Sequence, residues 1–230
     1  MFFPGFGGID ETGHFLLKAL RLAGYRTFTA EIGGPRWYAW CKRKGRPSFV
    51  YWRGLPNVFC ESQTGEYLVD LVRRIAKLTG KPVTIIGHSL GGALAAYVNA
   101  RLDEEVKHVF TAGSPLNGPE GVHWLLLWAR HATASIKQRG GAHQENCGKA
   151  CSTCSAFQMV KLATLPNAHR LTAIVGNDAV VDPKTSLKEG IDVIKVPSMH
   201  LGLMMCVEML RAIANKLHQL RLPQTIQVSA

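Results

Sequence analysis

The stretch Val83-Thr84-Ile85-Ile86-Gly87-His88-Ser89-Leu90-Gly91-Gly92-Ala93-Leu94-Ala95-Ala96 constrains the fold more than any other part of this sequence. Its opening is a short β-branched apolar run, suited to a strand buried on both faces, and from Leu90 onward alanine and leucine favour a helix. Ser89 therefore sits where a strand reverses into a helix. In so tight a reversal the residues two before and two after nearly touch, and glycine there avoids a Cβ clash. Gly87 and Gly91 occupy those two positions. Such a turn holds the Ser89 hydroxyl clear of the backbone, and the helix N-terminus beside it favours developing negative charge. His88, in the variable position, reads as a buried packing residue.

The rest of the chain supplies the sheet this turn needs. From about Arg26, short β-rich runs alternate with helical patterns, as in a mainly parallel sheet flanked by helices. Strands are expected at Thr27–Ile32, Val83–His88, Val106–Ala112, Arg170–Val175 and Ile191–Val196, with Phe2-Phe3 as the stub of an earlier one. Helices are expected at Glu11–Ala23, Gly65–Leu78 and Ser89–Arg101. A last helix over Leu203–Leu220 places Leu203, Val207, Leu210, Ile213 and Leu217 on one face. One stretch, Leu116–Ala168, breaks the alternation. Connections of that length usually carry something functional, such as a lid over a site.

With 230 residues and 47% hydrophobic content, the sequence suits one domain, 1–230, with residues 116–168 inserted in it. No run approaches the roughly 18 apolar residues of a membrane span. Pro4-Gly5 ends the apolar start at once, so no leader is read. The expected location is cytoplasmic or peripheral to a membrane, with secretion left open if a leader lies upstream. Six cysteines, unevenly placed, are not a secreted disulfide scaffold. The net charge of +11 favours anionic surfaces and says nothing about fold.

A serine hydroxyl is a weak nucleophile near neutral pH and needs a base, itself oriented by a third group. In a sheet of this kind the chain order is serine, then carboxylate, then histidine. Asp178 follows the Arg170–Val175 strand directly and is the preferred acid. Asp182, before Pro183, is the alternative and also reads as a turn former. His200 follows the last strand and precedes the last helix, and is the expected base. His14, His108, His169 and His218 fit surface or packing roles better.

Together these residues resemble the lipases and esterases of the α/β-hydrolase superfamily, especially the small bacterial triacylglycerol lipases. Pro4-Gly5-Phe6-Gly7-Gly8 is similar to their oxyanion loop, Gly87–Gly92 to their elbow, and Gly113-Ser114-Pro115 with Gly118 to the segment after their next strand. Asp178-Ala179-Val180-Val181 and His200-Leu201-Gly202-Leu203 are similar to their acid and base segments. The chain departs from the pattern in having Pro-Gly where the family has His-Gly, in starting almost at that loop, and in the longer insertion. The resemblance implies an α/β-hydrolase fold, with the backbone N–H groups of Phe6 and Leu90 as oxyanion donors. It also implies carboxylic ester hydrolysis through an acyl-enzyme, with no cofactor. A thioesterase or acyltransferase would use the same three residues, and a non-catalytic binding protein could reuse the scaffold.

Within the insertion, Gly121–Arg139 reads as an amphipathic helix. Trp124, Leu125, Leu127, Trp128, Ala132 and Ile136 are apolar, and Arg130, Lys137 and Arg139 are basic. Such a helix can cover an acyl pocket, lie in a lipid interface or pack on the sheet. Trp124, Leu125 and Trp128 are the expected substrate contacts. Arg36–Arg53 holds six basic residues, six aromatics and no acid. It reads as a hairpin packing its rings inward or as an anionic lipid contact. Stacking on nucleic-acid bases is the weakest reading, and no nucleic acid is expected as a partner. His143, Cys147, Cys151 and Cys154 could bind zinc, form a disulfide or remain unligated thiols, and no metal is assigned to the site.

Overall fold

The computed structural model describes residues 1–5, 13–30, 61–118, 121–124, 160–162 and 164–220. Five strands form one sheet in the order β1 to β5, every pair parallel: β1 Phe2–Phe3, β2 Val83–His88, β3 Val106–Ala112, β4 Leu171–Val175 and β5 Asp192–Lys195. Among the described residues four α-helices accompany them: α1 His14–Leu22, α2 Glu61–Thr79, α3 Leu90–Arg101 and α4 Val207–Gln219. A parallel sheet needs both faces covered, and the period-two alternation of its side chains supplies two cores. Phe2, Ile86, Phe110 and Ile174 face α1 and α4, which contribute Leu16, Leu17, Leu20, Met209, Ile213 and Leu217. Phe3, Ile85, Val109 and Leu171 face α2 and α3, which contribute Leu68, Val72, Ile75, Leu94 and Val98.

Helix α3 is buried on nearly all sides, from Gly91 to Asn99. Its alanines let it lie between the sheet and α2, where Gly65 of α2 sits so close to the Tyr97 ring that a Cβ would come within 2.7 Å. Beyond β1, on the side away from β2, the chain passes once more. Phe2 bridges Thr29 in parallel, with Phe2 N–H donating to Phe28 O and Ala30 N–H donating to Phe2 O, each at 2.9 Å. The chain thus goes to one side of β1 and returns to the other. Such a reversal of direction opens a crevice at the carboxyl ends of the strands, where ligands bind in sheets of this kind.

Two expectations shift. The strand expected at Thr27–Ile32 is, among the described residues, the single bridge at Thr29. The last helix begins at Val207 rather than Leu203, because Gly202–Met205 is a separate 3-10 turn closed by an extended Cys206. That break resets the helical phase. The buried stripe becomes Met209, Ile213 and Leu217, while Val207 is exposed and Leu210 only half-buried. Phe6, Leu125, Trp128, the basic aromatic stretch, the cysteine cluster with His143, and most of the insertion lie outside the described residues. No helix among the described residues is long and apolar enough to cross a membrane.

Candidate active site

Among the described residues, Ser89 and Asn167 are the non-glycine residues with positive φ. Ser89 adopts φ 53 and ψ −124, a conformation L-residues rarely occupy and one that persists only where surrounding structure enforces it. The enforcement is visible. Ser89 N–H donates to Ala112 O at 2.8 Å, anchoring the turn to the end of β3, and Ser89 O accepts from Gly92 N–H at 3.0 Å to begin α3. A Cβ on Gly87 would lie 2.4 Å from Gly91 O, and one on Gly91 would lie 2.3 Å from Phe3 O. The second glycine therefore admits the end of β1 against the elbow, and Gly5 comes to rest beside Ser89. A Cβ on Gly5 would be 3.0 Å from Ser89 Cβ.

Asp178 lies beyond the end of β4 and His200 beyond the end of β5. His200 Nδ1 is 2.5 Å from Asp178 Oδ2, and the two side chains are 8% and 1% exposed. The other carboxylate oxygen, Oδ1, accepts the backbone N–H groups of Val180 at 2.8 Å and Val181 at 3.0 Å. Burial pushes the Asp178 carboxyl upward. The hydrogen bond from His200, the two backbone N–H groups and the charge of His200 together outweigh it and hold the carboxyl below its ordinary value. A carboxylate bound in this way leaves the Nδ1 proton on His200, so that Nε2 presents a lone pair. Asp182, near Asp178, is bonded differently. It caps the 3-10 turn Pro183–Ser186, its Oδ1 accepting Lys184 N–H at 2.9 Å.

The histidine and the elbow are joined directly. His88 Nε2 is 3.0 Å from His200 O, and the two rings are 4.7 Å apart. His88 is buried, as its position in the sequence predicts, but it also bonds the expected base, a contact across 112 residues that no local pattern reveals. Gly113, which the sequence marks only as part of the segment after β3, makes a second long-range contact. At φ +54, its missing Cβ would sit 2.9 Å from Asp178 Oδ2 and 3.0 Å from His200 Nδ1. Only a turn residue without a side chain lets β3 end beneath that pair.

Leu90 begins α3, so its N–H has no acceptor within the helix and lies next to Ser89. The root of the insertion is fastened to the acid loop. Val122 bridges Val181, with His123 N–H donating to Val180 O at 2.7 Å and Asp182 N–H donating to Gly121 O at 2.8 Å. A cavity of about 350 Å³ opens there, bounded by Gly121, His123, Asp178 and Asp182. Trp124, next to His123, Met199 and Leu201, on either side of His200, and Met205 are each more than 60% exposed. A second cavity of about 540 Å³ lies at the amino ends of β2 and β3, away from these residues.

Comparison with known proteins agrees with this architecture. A family model described as the alpha/beta hydrolase fold matches residues 1–132. Among solved structures, a monoacylglycerol lipase from Paleococcus ferrophilus is 16% identical with a TM-score of 0.59, covering 95% of this chain and 93% of its own. A structure from work on carboxylesterases of Nitrososphaera gargenis is 17% identical with a TM-score of 0.55, covering 95% and 89%. A candidate non-heme bromoperoxidase from Mycobacterium tuberculosis is 15% identical with a TM-score of 0.56, covering 96% and 92%. At these identities the likeness is one of fold. A search of curated protein sequences finds no match. Since the family model spans more than half of the 230 residues, the chain belongs to the alpha/beta hydrolase fold family.

Proposed function

We propose that this protein is a serine hydrolase that cleaves carboxylic esters through an acyl-enzyme on Ser89. The observation that carries this reading is the Asp178–His200 pair, with His200 tied through its carbonyl to the residue before Ser89. His200 Nε2 takes the proton of the Ser89 hydroxyl as its oxygen attacks the ester carbonyl. The imidazolium formed returns that proton to the leaving alcohol, and Asp178 stabilises its charge. Water, activated by the same nitrogen, then releases the acid. The oxyanion is received by Leu90 N–H and, by the resemblance, Phe6 N–H. One such donor contributes on the order of 3 kcal/mol to the transition state.

An apolar acyl ester or lipid is the substrate class this reading favours. Met199, Leu201, Met205 and Trp124 present apolar surface around the His200 loop and the insertion root. The excess of positive charge, +11, suits approach to an anionic lipid surface. The reading is tested with a series of p-nitrophenyl esters from acetyl to long acyl chains, run beside an emulsified triglyceride. Turnover that rises with acyl length supports it. An inert wild-type protein, given every chain length, contradicts it.

A further inference from the structure

Among the described buried polar groups, His88 touches the site without a part in the chemistry above. We propose that His88 is a positioning residue, whose Nε2–H donates to the main-chain carbonyl of His200 and locks the base to the strand that carries the nucleophile. The proposal rests on the reading of Ser89, Asp178 and His200 as the reacting set.

A carbonyl oxygen only accepts, so the 3.0 Å contact to His200 O requires the proton on His88 Nε2. Nδ1 then carries the lone pair and lies toward Gly5, 3.3 Å from where a Cβ there would sit. His88 thus stands between the start of the glycine-rich loop and the base. His200 needs such a hold. Its neighbours Met199 and Leu201 are 67% and 75% exposed, and its ring is fixed at one atom by Asp178. The bond from His88 fixes the main chain as well, so ring and backbone are held from two directions. The loop's own hydrogen bonds, Ser198 N–H to Val196 O and Leu203 N–H to Met199 O, lie on either side of His200, and the bond from His88 is the one that ties the His200 carbonyl to the nucleophile strand.

Charge adds a second requirement. Burial first, and the neighbouring His200 second, pull His88 down to about 4, against the opposing effects of its bond to His200 and of Asp178. It is therefore uncharged near neutral pH. A cation there would stand 4.7 Å from the ring that becomes imidazolium during turnover, and would oppose it. An imidazole that donates and stays neutral meets both needs.

The test compares His88→Met, which fills the space without a donor, with His88→Gln, whose amide nitrogen reaches as far as Nε2. The readouts are kcat and KM on p-nitrophenyl butyrate and the low-field proton resonance of His200 Nδ1–H. We expect His88→Met to lower kcat about tenfold with KM within about twofold of wild type, and to broaden that resonance. His88→Gln should keep the resonance and restore kcat to within about threefold. A His88→Met protein equal to wild type in both readouts overturns the proposal, as does a His88→Gln protein damaged equally. Should His88→Met not fold, nitrogen spectra of wild type decide. A neutral, Nε2-protonated His88 at pH about 6 supports the proposal, and an Nδ1-protonated or charged ring overturns it. If wild type turns over no ester while His88→Met still loses the resonance that His88→Gln keeps, the hydrolase reading fails and the positioning role stands.

Discussion

His200 Nδ1 lies 2.5 Å from Asp178 Oδ2, and that same aspartate spends its other oxygen on the backbone N–H groups of Val180 and Val181. The carboxylate is thus fixed by its own loop before it meets the imidazole. Replacing Asp178 with Asn should lower kcat about ten-thousand-fold, because the amide favours the wrong tautomer of His200. Asp182→Asn should leave kcat near wild type, since asparagine caps a helical turn about as well as aspartate. Steady-state kinetics on both variants checks the pair, and the opposite ranking would make Asp182 the acid.

Gly113 makes a different prediction, about space. Its φ of +54 and the 2.9–3.0 Å approaches to Asp178 and His200 leave no room for a methyl group. Gly113→Ala should lose about 1–2 kcal/mol of stability from the left-handed backbone alone. Activity should fall further than stability explains, because the displaced atoms include those of the Asp178–His200 pair besides Leu203 Cδ1. Thermal unfolding and kcat/KM, measured on one preparation, separate the two effects.

Much of this was legible in the sequence, and the reasons differ by residue. Val83–His88 and Val106–Ala112 were readable because each is a β-rich run closed by a turn, and both are buried except at Thr84 and Lys107. The turn at Ser89 was readable because Gly87 faces Gly91 within five residues, whereas Gly91 is also required by the end of β1, a contact that spacing does not encode. Asp178 is preferred to Asp182 in the sequence only by its place directly after the strand, since the contact that distinguishes them is to a histidine 22 positions beyond the first. The start of α4 was misplaced because Leu203 fits the apolar spacing although it belongs to a separate turn. His88 and Gly113 act through contacts between segments remote in sequence, which spacing does not encode.

Stability should depend on pH through buried histidines. His88 is lowered to about 4, as above, and so is His108, by burial first and the charge of Lys216 second. The folded protein resists protonation at both rings, while the unfolded chain takes up protons below about 6.5. Their contribution is therefore full above about 6.5 and is lost as pH falls toward 4. Denaturant midpoints should drop between pH 7 and pH 4.5, and His108→Gln, which removes one of the two groups, should drop less. Equal slopes would show that His108 titrates alike in both states.

The insertion leaves the fold beside Asp178, where Gly121 and His123 pair with Val180 and Asp182. If its apolar residues meet the acyl chain, Trp128→Ala should weaken turnover of long acyl esters far more than of acetyl esters. Each acyl methylene that Trp128 shields from water is worth about 0.8 kcal/mol at full burial. Equal reductions across the acyl series would make Trp128 a support of the fold and not a specificity element.

The most direct test of the central claim is covalent. A fluorophosphonate reacts fastest with a serine whose hydroxyl is activated, and the adduct can be mapped by peptide mass. One adduct is expected, on the peptide carrying Ser89, absent from folded Ser89→Ala, which also shows no ester hydrolysis. An adduct on another residue, or hydrolysis surviving in Ser89→Ala, would contradict it.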